Sequence, residues 1–143
     1  MTAVPTRGRA MGEGHFEYLD AAECLQLLRS ATVGRVAFQG PDGLTVLPLA
    51  YSVDGDQLVL RTAAGTQLAS LPEDTPVAFE VDEFDAEFTN GWSVLARGTL
   101  AKLTPGDLAG EVAPPTPFVA GVRRVLLGLS LAQLSGRAVS GDA

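Results

Sequence analysis

Leu58-Val59-Leu60-Arg61-Thr62-Ala63-Ala64-Gly65-Thr66-Gln67-Leu68-Ala69-Ser70-Leu71 changes conformation part-way along its length. It opens as β-favouring sequence, reaches one arginine at the strand's end, and crosses a small-residue turn. A short helix is predicted over residues 66–71, ended by Pro72. That order sets Arg61 and Thr62 beside the free N–H groups of a helix beginning near Gly65. Helix N-termini carry unpaired donors and partial positive charge, so they attract anions. A guanidinium adds a planar fork suited to phosphate. The stretch therefore reads as a phosphate-anchoring corner, although local sequence alone favours an ordinary strand-to-helix turn with a surface arginine, since many such turns hold no ligand.

Working upstream, two more strands are predicted, at residues 33–39 and 44–53. Gly40-Pro41-Asp42-Gly43 and Asp54-Gly55-Asp56 supply the turns between the three, a pattern that indicates an antiparallel meander. Residues 44–53 are apolar on both alternating faces. Pro48 within them cannot donate to a ladder, which places it at an edge, a bulge or a face turned to a ligand. Further back, Asp20-Ala21-Ala22-Glu23 has capping-box spacing, and Leu19, Cys24, Leu27 and Leu28 share one stripe. A helix at about 20–30 follows. Residues 1–14 read as a disordered tail. His15, the only histidine, lies at its edge, so a histidine-cluster metal site is excluded and a Ser-His-Asp triad would need this one residue.

Downstream, Val77, Phe79 and Val81 alternate with more polar neighbours in a fourth strand. The acidic run Asp82, Glu83, Asp85 and Glu87 reads as a solvated loop rather than a cation site. Asn90-Gly91 is a turn signal, and residues 92–103 form a long fifth strand in which Gly98 marks a bulge or sharp bend. Trp92 is either a core aromatic or the wall of a ring pocket. A brief helix is predicted near 106–112, then a stiff connector at Pro114, Pro115 and Pro117. Residues 121–134 are compatible with helix or strand; a strand at 123–131 is preferred because one more strand would close the sheet. Residues 135–143 read as a tail. The whole is a mainly β chain with small helices, one domain over residues 15–134.

Composition narrows the function classes. Of 143 residues, 46% are apolar and 19% charged, enough for a real core. The net charge of −7, with ten scattered Lys and Arg, argues against nucleic acid as a partner. No apolar run approaches the roughly 18 residues of a membrane span, and the first dozen residues lack the apolar core of a signal peptide. The single cysteine, Cys24, excludes an internal disulfide and points to a cytoplasmic protein with a buried thiol.

Taken in order, the chain resembles the actinobacterial branch of the pyridoxamine 5′-phosphate oxidase-like, FMN-binding split β-barrel family. The matching pieces are Glu23-Cys24-Leu25-Gln26-Leu27-Leu28 leading into Val33-Gly34-Arg35-Val36-Ala37-Phe38, then Val46-Leu47-Pro48-Leu49-Ala50-Tyr51, Leu60 to Thr66, Ala78 to Asp82 and Gly91 to Gly98. The resemblance implies a six-stranded antiparallel split β-barrel and a homodimer with two FMN molecules at its interface. Val46, Leu47, Pro48 and Leu49 would run beside the isoalloxazine, partly through backbone groups. Arg61, Thr62, Thr66 and Gln67 would hold the phosphate, and Trp92 and Ser93 of one chain would reach the flavin held mainly by the other. One departure concerns Gln67, where relatives commonly carry Lys. Losing that charge weakens the grip on a phosphate dianion, and Arg123 and Arg124 of the partner chain are the candidates to restore it.

By resemblance the activity is that of a flavin-dependent oxidoreductase acting on a small conjugated or amine substrate. Two alternatives stand beside it: an F420-binding reductase, disfavoured by the sparse lysines, and a degenerate dimeric barrel that binds flavin weakly or not at all.

Overall fold

The computed structural model describes residues 8–9, 14–87, 89–109 and 124–141. Six strands close into a barrel: β3 (Val33–Gly40), β4 (Gly43–Asp54), β5 (Gln57–Ala63), β6 (Pro76–Phe84), β7 (Asn90–Leu103) and β8 (Arg124–Ser130). Each neighbour pair in the ring β3-β4-β5-β8-β7-β6 is antiparallel, and β6 returns to β3. The six predicted strands are these six, including the ambiguous last one, which pairs with both β5 and β7 and so seals the barrel.

β7 does two jobs. Its first part, from Asn90 to Ala96, pairs with β9 (Leu134–Gly141), and its last part, from Leu100 to Leu103, pairs with β8. The handover falls around Gly98. Pairing with β6 runs unbroken through that glycine, so it marks a change of partner and no bulge. β9 continues outward to β2 (Gly14–Leu19), and β2 to the two residues of β1 (Gly8–Arg9).

β9 overturns the expectation of a tail at 135–143, and β2 begins at Gly14 inside the expected N-terminal tail. The physical reason is steric. Helix α1 (Ala21–Ser30) lies over β9 so closely that a Cβ on Gly136 would come 2.6 Å from Cys24 Sγ. A strand under such pressure is built of small residues and loses its apolar alternation. The brief helix expected at 106–112 is a single 3₁₀ turn, Pro105–Asp107, as far as it is described. The connector at Pro114, Pro115 and Pro117 lies outside the described residues.

The barrel interior is filled by the alternate residues of each strand. Val36 and Phe38, Leu49, Tyr51 and Val53, Leu58 and Leu60, Val77, Phe79 and Val81, Val94 and Ala96, and Leu127 and Leu129 form one buried cluster. α1 begins as predicted: Glu23 N–H donates to Asp20 Oδ1 (2.8 Å) and Asp20 N–H to Glu23 Oε1 (3.0 Å). It presents Cys24 and Leu28 to the core. Tyr51 OH donates to Leu28 O (2.5 Å), tying the last turn of the helix to the barrel wall. Burial first, and then the Asp20 and Glu23 carboxylates, push the Cys24 thiol up to about 11, so it remains protonated and unreactive. No helix among the described residues is long and apolar enough to cross a membrane.

Candidate functional site

The barrel is split along β4. Residues 43–50 pair with β3, whereas pairing with β5 is confined to residues 51–54. Before Tyr51, the edge of β4 turned away from β3 has no strand partner among the described residues. Tyr51 N–H donates to Thr32 O on the β3 side (3.0 Å). Because N–H groups alternate along a strand, the nitrogen of Pro48, three residues earlier, faces the open edge. A proline there removes no ladder bond, which accounts for its position in a strand otherwise well paired.

The alternation also sorts the predicted flavin-lining residues. Val46 and Pro48 point out of the barrel with Leu44, Val46 exposing 61% and Leu44 86% of its surface. Leu47 and Leu49 point inward, Leu49 into the buried core and Leu47 against it. Outside the barrel, only their backbone is available.

Arg61 and Thr62 lie on opposite faces of β5. Thr62 is turned inward with Leu58 and Leu60, leaving Arg61 on the outer face. Thr66 Oγ1 donates its one proton to Ala63 O (2.9 Å) and accepts from Ala69 N–H (3.2 Å). The 3.1 Å contact between the two threonine hydroxyls must therefore be donated by Thr62. Both hydroxyl protons are spent on fastening the turn. Arg61 Nε, by contrast, is buried without a hydrogen-bond partner among the described residues. Buried donors of that kind are uncommon and call for an explanation.

The helix expected after the turn is a three-residue 3₁₀ turn, Leu68–Ser70. Gly65 (φ 85°) makes the reversal and Pro72 follows only seven residues later. The segment is too short for an α-helical ladder or a useful macrodipole. The positive character of the corner thus comes from Arg61, not from a helix end. Gln67 turns away to the β3–β4 turn, where Nε2 donates to Asp42 Oδ2 (3.4 Å).

Trp92 and Ser93 also occupy opposite faces. Trp92 packs against the core and lines an open cavity of about 770 Å³ between α1 and the β6–β7 hairpin, with Leu19, Leu27, Glu83 and Phe84. Arg61 lies opposite Leu126, which lies opposite Leu103 at the far end of β7 from Trp92, so one chain keeps Trp92 and Arg61 apart. Ser93 faces outward in register with Asp82 on one side and Arg137 on the other. Arg35 on this outer sheet bridges Glu80 (2.6 Å) and Asp82 (3.0 Å). Burial, then the hydrogen bond and charge of Asp82, raise the Glu80 carboxyl to about 7 against the opposing pull of Arg35. The acidic run beyond it is a hairpin clasp: Asp85 accepts from Thr89 N–H and Oγ1 (both 2.8 Å) and from Asn90 Nδ2 (2.9 Å).

Residues 20–138 match the sequence model of the pyridoxamine 5′-phosphate oxidase family. The chain belongs to that family. In three dimensions this family member is similar to a Corynebacterium glutamicum protein described as a candidate pyridoxamine 5′-phosphate oxidase, with TM-score 0.75 and 25% identity over 90% of this chain and 96% of that one. It is also similar to an FAD-binding protein from Mycobacterium smegmatis (TM-score 0.67, 28% identity, 86% and 97% covered). A Corynebacterium diphtheriae protein of unknown function is comparable (TM-score 0.69, 27% identity, 86% and 97% covered). No curated protein matches the chain in sequence.

As a pyridoxamine 5′-phosphate oxidase family member, the chain carries features that sequence reasoning overlooked. Leu44 extends the outward stripe by one step, and the alternation of residues 44–53 was the signal for it. Leu19, Leu27 and Phe84 join Trp92 from three separate elements, and nothing in the local sequence announces that meeting. Arg123 lies outside the described residues, while Arg124 stands in β8 opposite Ala63 of the same chain.

Proposed function

We propose that the chain is a flavin-dependent oxidoreductase working as a homodimer. FMN would lie between the open edge of β4 in one protomer and Trp92 and Ser93 of the other. The observation that carries this reading is an exposed apolar stripe, Leu44, Val46 and Pro48, on the stretch of β4 that has parted from β5, together with an arginine just past the end of that pairing whose buried Nε has no partner among the described residues. An apolar wall and a guanidinium with an unpartnered Nε–H fit a flat ring with an anionic tail. When bound, flavin supplies hydride acceptance and return. The chain's own part is to support the ring on Val46 and Pro48, to offer the Val46 N–H and C=O at the open edge, to neutralise the phosphate with Arg61, and to exclude water with the partner's stripe. The separation of Trp92 from Arg61 within one chain supports a site completed by two. The substrate is a small conjugated or amine molecule, and the lone buried cysteine supports a cytoplasmic location.

The FAD-binding relative from Mycobacterium smegmatis supports flavin as the cofactor class and makes FAD the natural competitor of FMN. A specific observation favours a second reading, a dimeric barrel with little or no affinity for flavin. Gln67 is neutral and is held by a carboxylate, Asp42.

Visible absorbance of the purified protein, then titrations with FMN, FAD and F420 followed by fluorescence, decide among these. A yellow protein saturating with FMN supports the first reading. Saturation by F420 alone identifies a reductase of that type, and a colourless dimer indifferent to all three leaves the second reading. Arg61→Ala is expected to weaken FMN binding by about 1.5–3 kcal/mol, a charge-assisted hydrogen bond's worth. Unchanged affinity removes Arg61 from the site.

A further inference from the structure

We infer that Arg124 is the second cation of the flavin-phosphate site and acts from the same chain as Arg61. The inference rests on the flavin reading above. β8 runs antiparallel to β5 with Leu126 opposite Arg61, Val125 opposite Thr62 and Arg124 opposite Ala63. Val125, Leu127 and Leu129 turn inward with Thr62, Leu60 and Leu58. Arg124 and Leu126 therefore share the outer face with Arg61 and Ala63.

Arg61 and Arg124 are diagonal neighbours on that face. Such neighbours are about 7–8 Å apart, within reach of long side chains. The residue directly opposite Arg124 is an alanine, whose methyl leaves the space above it open to a guanidinium. Arg124 is exposed and has no ion pair or side-chain hydrogen bond among the described residues. Beyond Leu60, β5 has no pairing with β4, so the outer face at Arg61 and Ala63 borders the split.

Charge balance supplies the second half of the argument. A phosphate monoester carries about −1.5 to −2 at neutral pH. Arg61 contributes a single positive charge. The protons of Thr62 and Thr66 are spent within the turn, and Gln67 is neutral and donates to Asp42. A second guanidinium from β8 brings the site close to neutrality without any contribution from the partner chain.

The test titrates the full chain with FMN and with riboflavin, which differ by the phosphate alone. Arg124→Ala should bind FMN about 10-fold more weakly, the loss of roughly 1.4 kcal/mol, while keeping its riboflavin affinity and its melting temperature. Arg124→Lys should recover most of the FMN affinity. Equal loss toward both ligands, or full FMN affinity in Arg124→Ala beside a loss in Arg61→Ala, overturns the inference and leaves the flavin reading intact. A wild-type chain that binds no flavin overturns both. A mixed dimer of one Arg61→Ala chain and one Arg124→Ala chain decides which chain supplies Arg124. Sites of the same-chain kind all lack one arginine, whereas wild-type affinity in half of the sites overturns the same-chain assignment.

Discussion

Replacing Val46 by aspartate tests the proposed homodimer at an exposed position of the β4 stripe. The side chain points away from the core, and the residue shows 61% of its surface to solvent in the single chain. The isolated fold should hardly register the change. Full burial of a valine or leucine side chain stabilises by about 1.5–3 kcal/mol, so the exposed share of Val46 is worth about 0.9–1.8. A two-fold dimer presents the residue twice, which brings the loss to about 2–4 kcal/mol, a weakening of roughly thirty- to several-hundred-fold. Burying the new carboxylate against the partner adds desolvation to that figure, making it a lower bound. Sedimentation equilibrium over a range of concentrations reads the dimerisation constant directly, with and without FMN. A dimer of wild-type strength in the variant would show that the β4 stripe is not the interface, and the composite flavin site would lose its geometry.

Three further outcomes concern the scaffold and its titration. Tyr51→Phe leaves the Leu28 carbonyl without its donor in the last turn of α1, and should lower unfolding free energy by about 1–2 kcal/mol in a urea titration. Gly136→Ala places a methyl 2.6 Å from Cys24 Sγ and 3.1 Å from Ser93 O; the overpacking should cost about 1–3 kcal/mol, seen as a lower melting temperature. Glu80 has a carboxyl raised from 4.5 to about 7, so the folded chain binds its proton more tightly than the unfolded one. Stability therefore falls as pH rises from about 4.5 to 7, by an amount reduced by solvent screening because the group is partly exposed. Glu80→Gln should flatten the stability profile in that window, as measured by thermal unfolding at successive pH values.

The barrel strands were legible from β-favouring runs bounded by Gly, Pro, Asp and Asn turns, and the capping box at Asp20 and Glu23 announced α1 in four residues. β9 was not, since the approach of Cys24 demands Gly136 and leaves Val139 as the strand's only large aliphatic side chain after Leu134. Its strand character comes from two neighbours, β7 and β2, that no local window contains. The corner at the end of β5 was legible in part. Arg61 stands at a strand end beside a tight turn, and the strand's period of two sets Arg61 and Thr62 on opposite faces. The 3₁₀ turn replaced the helix because Gly65 and Pro72 leave too few residues between them. Register across the β5–β8 pair joins positions more than sixty residues apart, and only the folded chain reveals that Ala63 faces Arg124.

β8 also sets the order in which this molecule can be finished. It is flanked by β5 on one side and the end of β7 on the other, so the cylinder stays open while a ribosome is still adding residues before 124. Until then the nascent chain carries two bare strand margins, hazards for pairing with another unfinished copy. Closure joins segments distant in sequence, which makes it a late and comparatively slow event. Newly made protein is therefore most exposed to aggregation just before β8 (Arg124–Ser130) emerges.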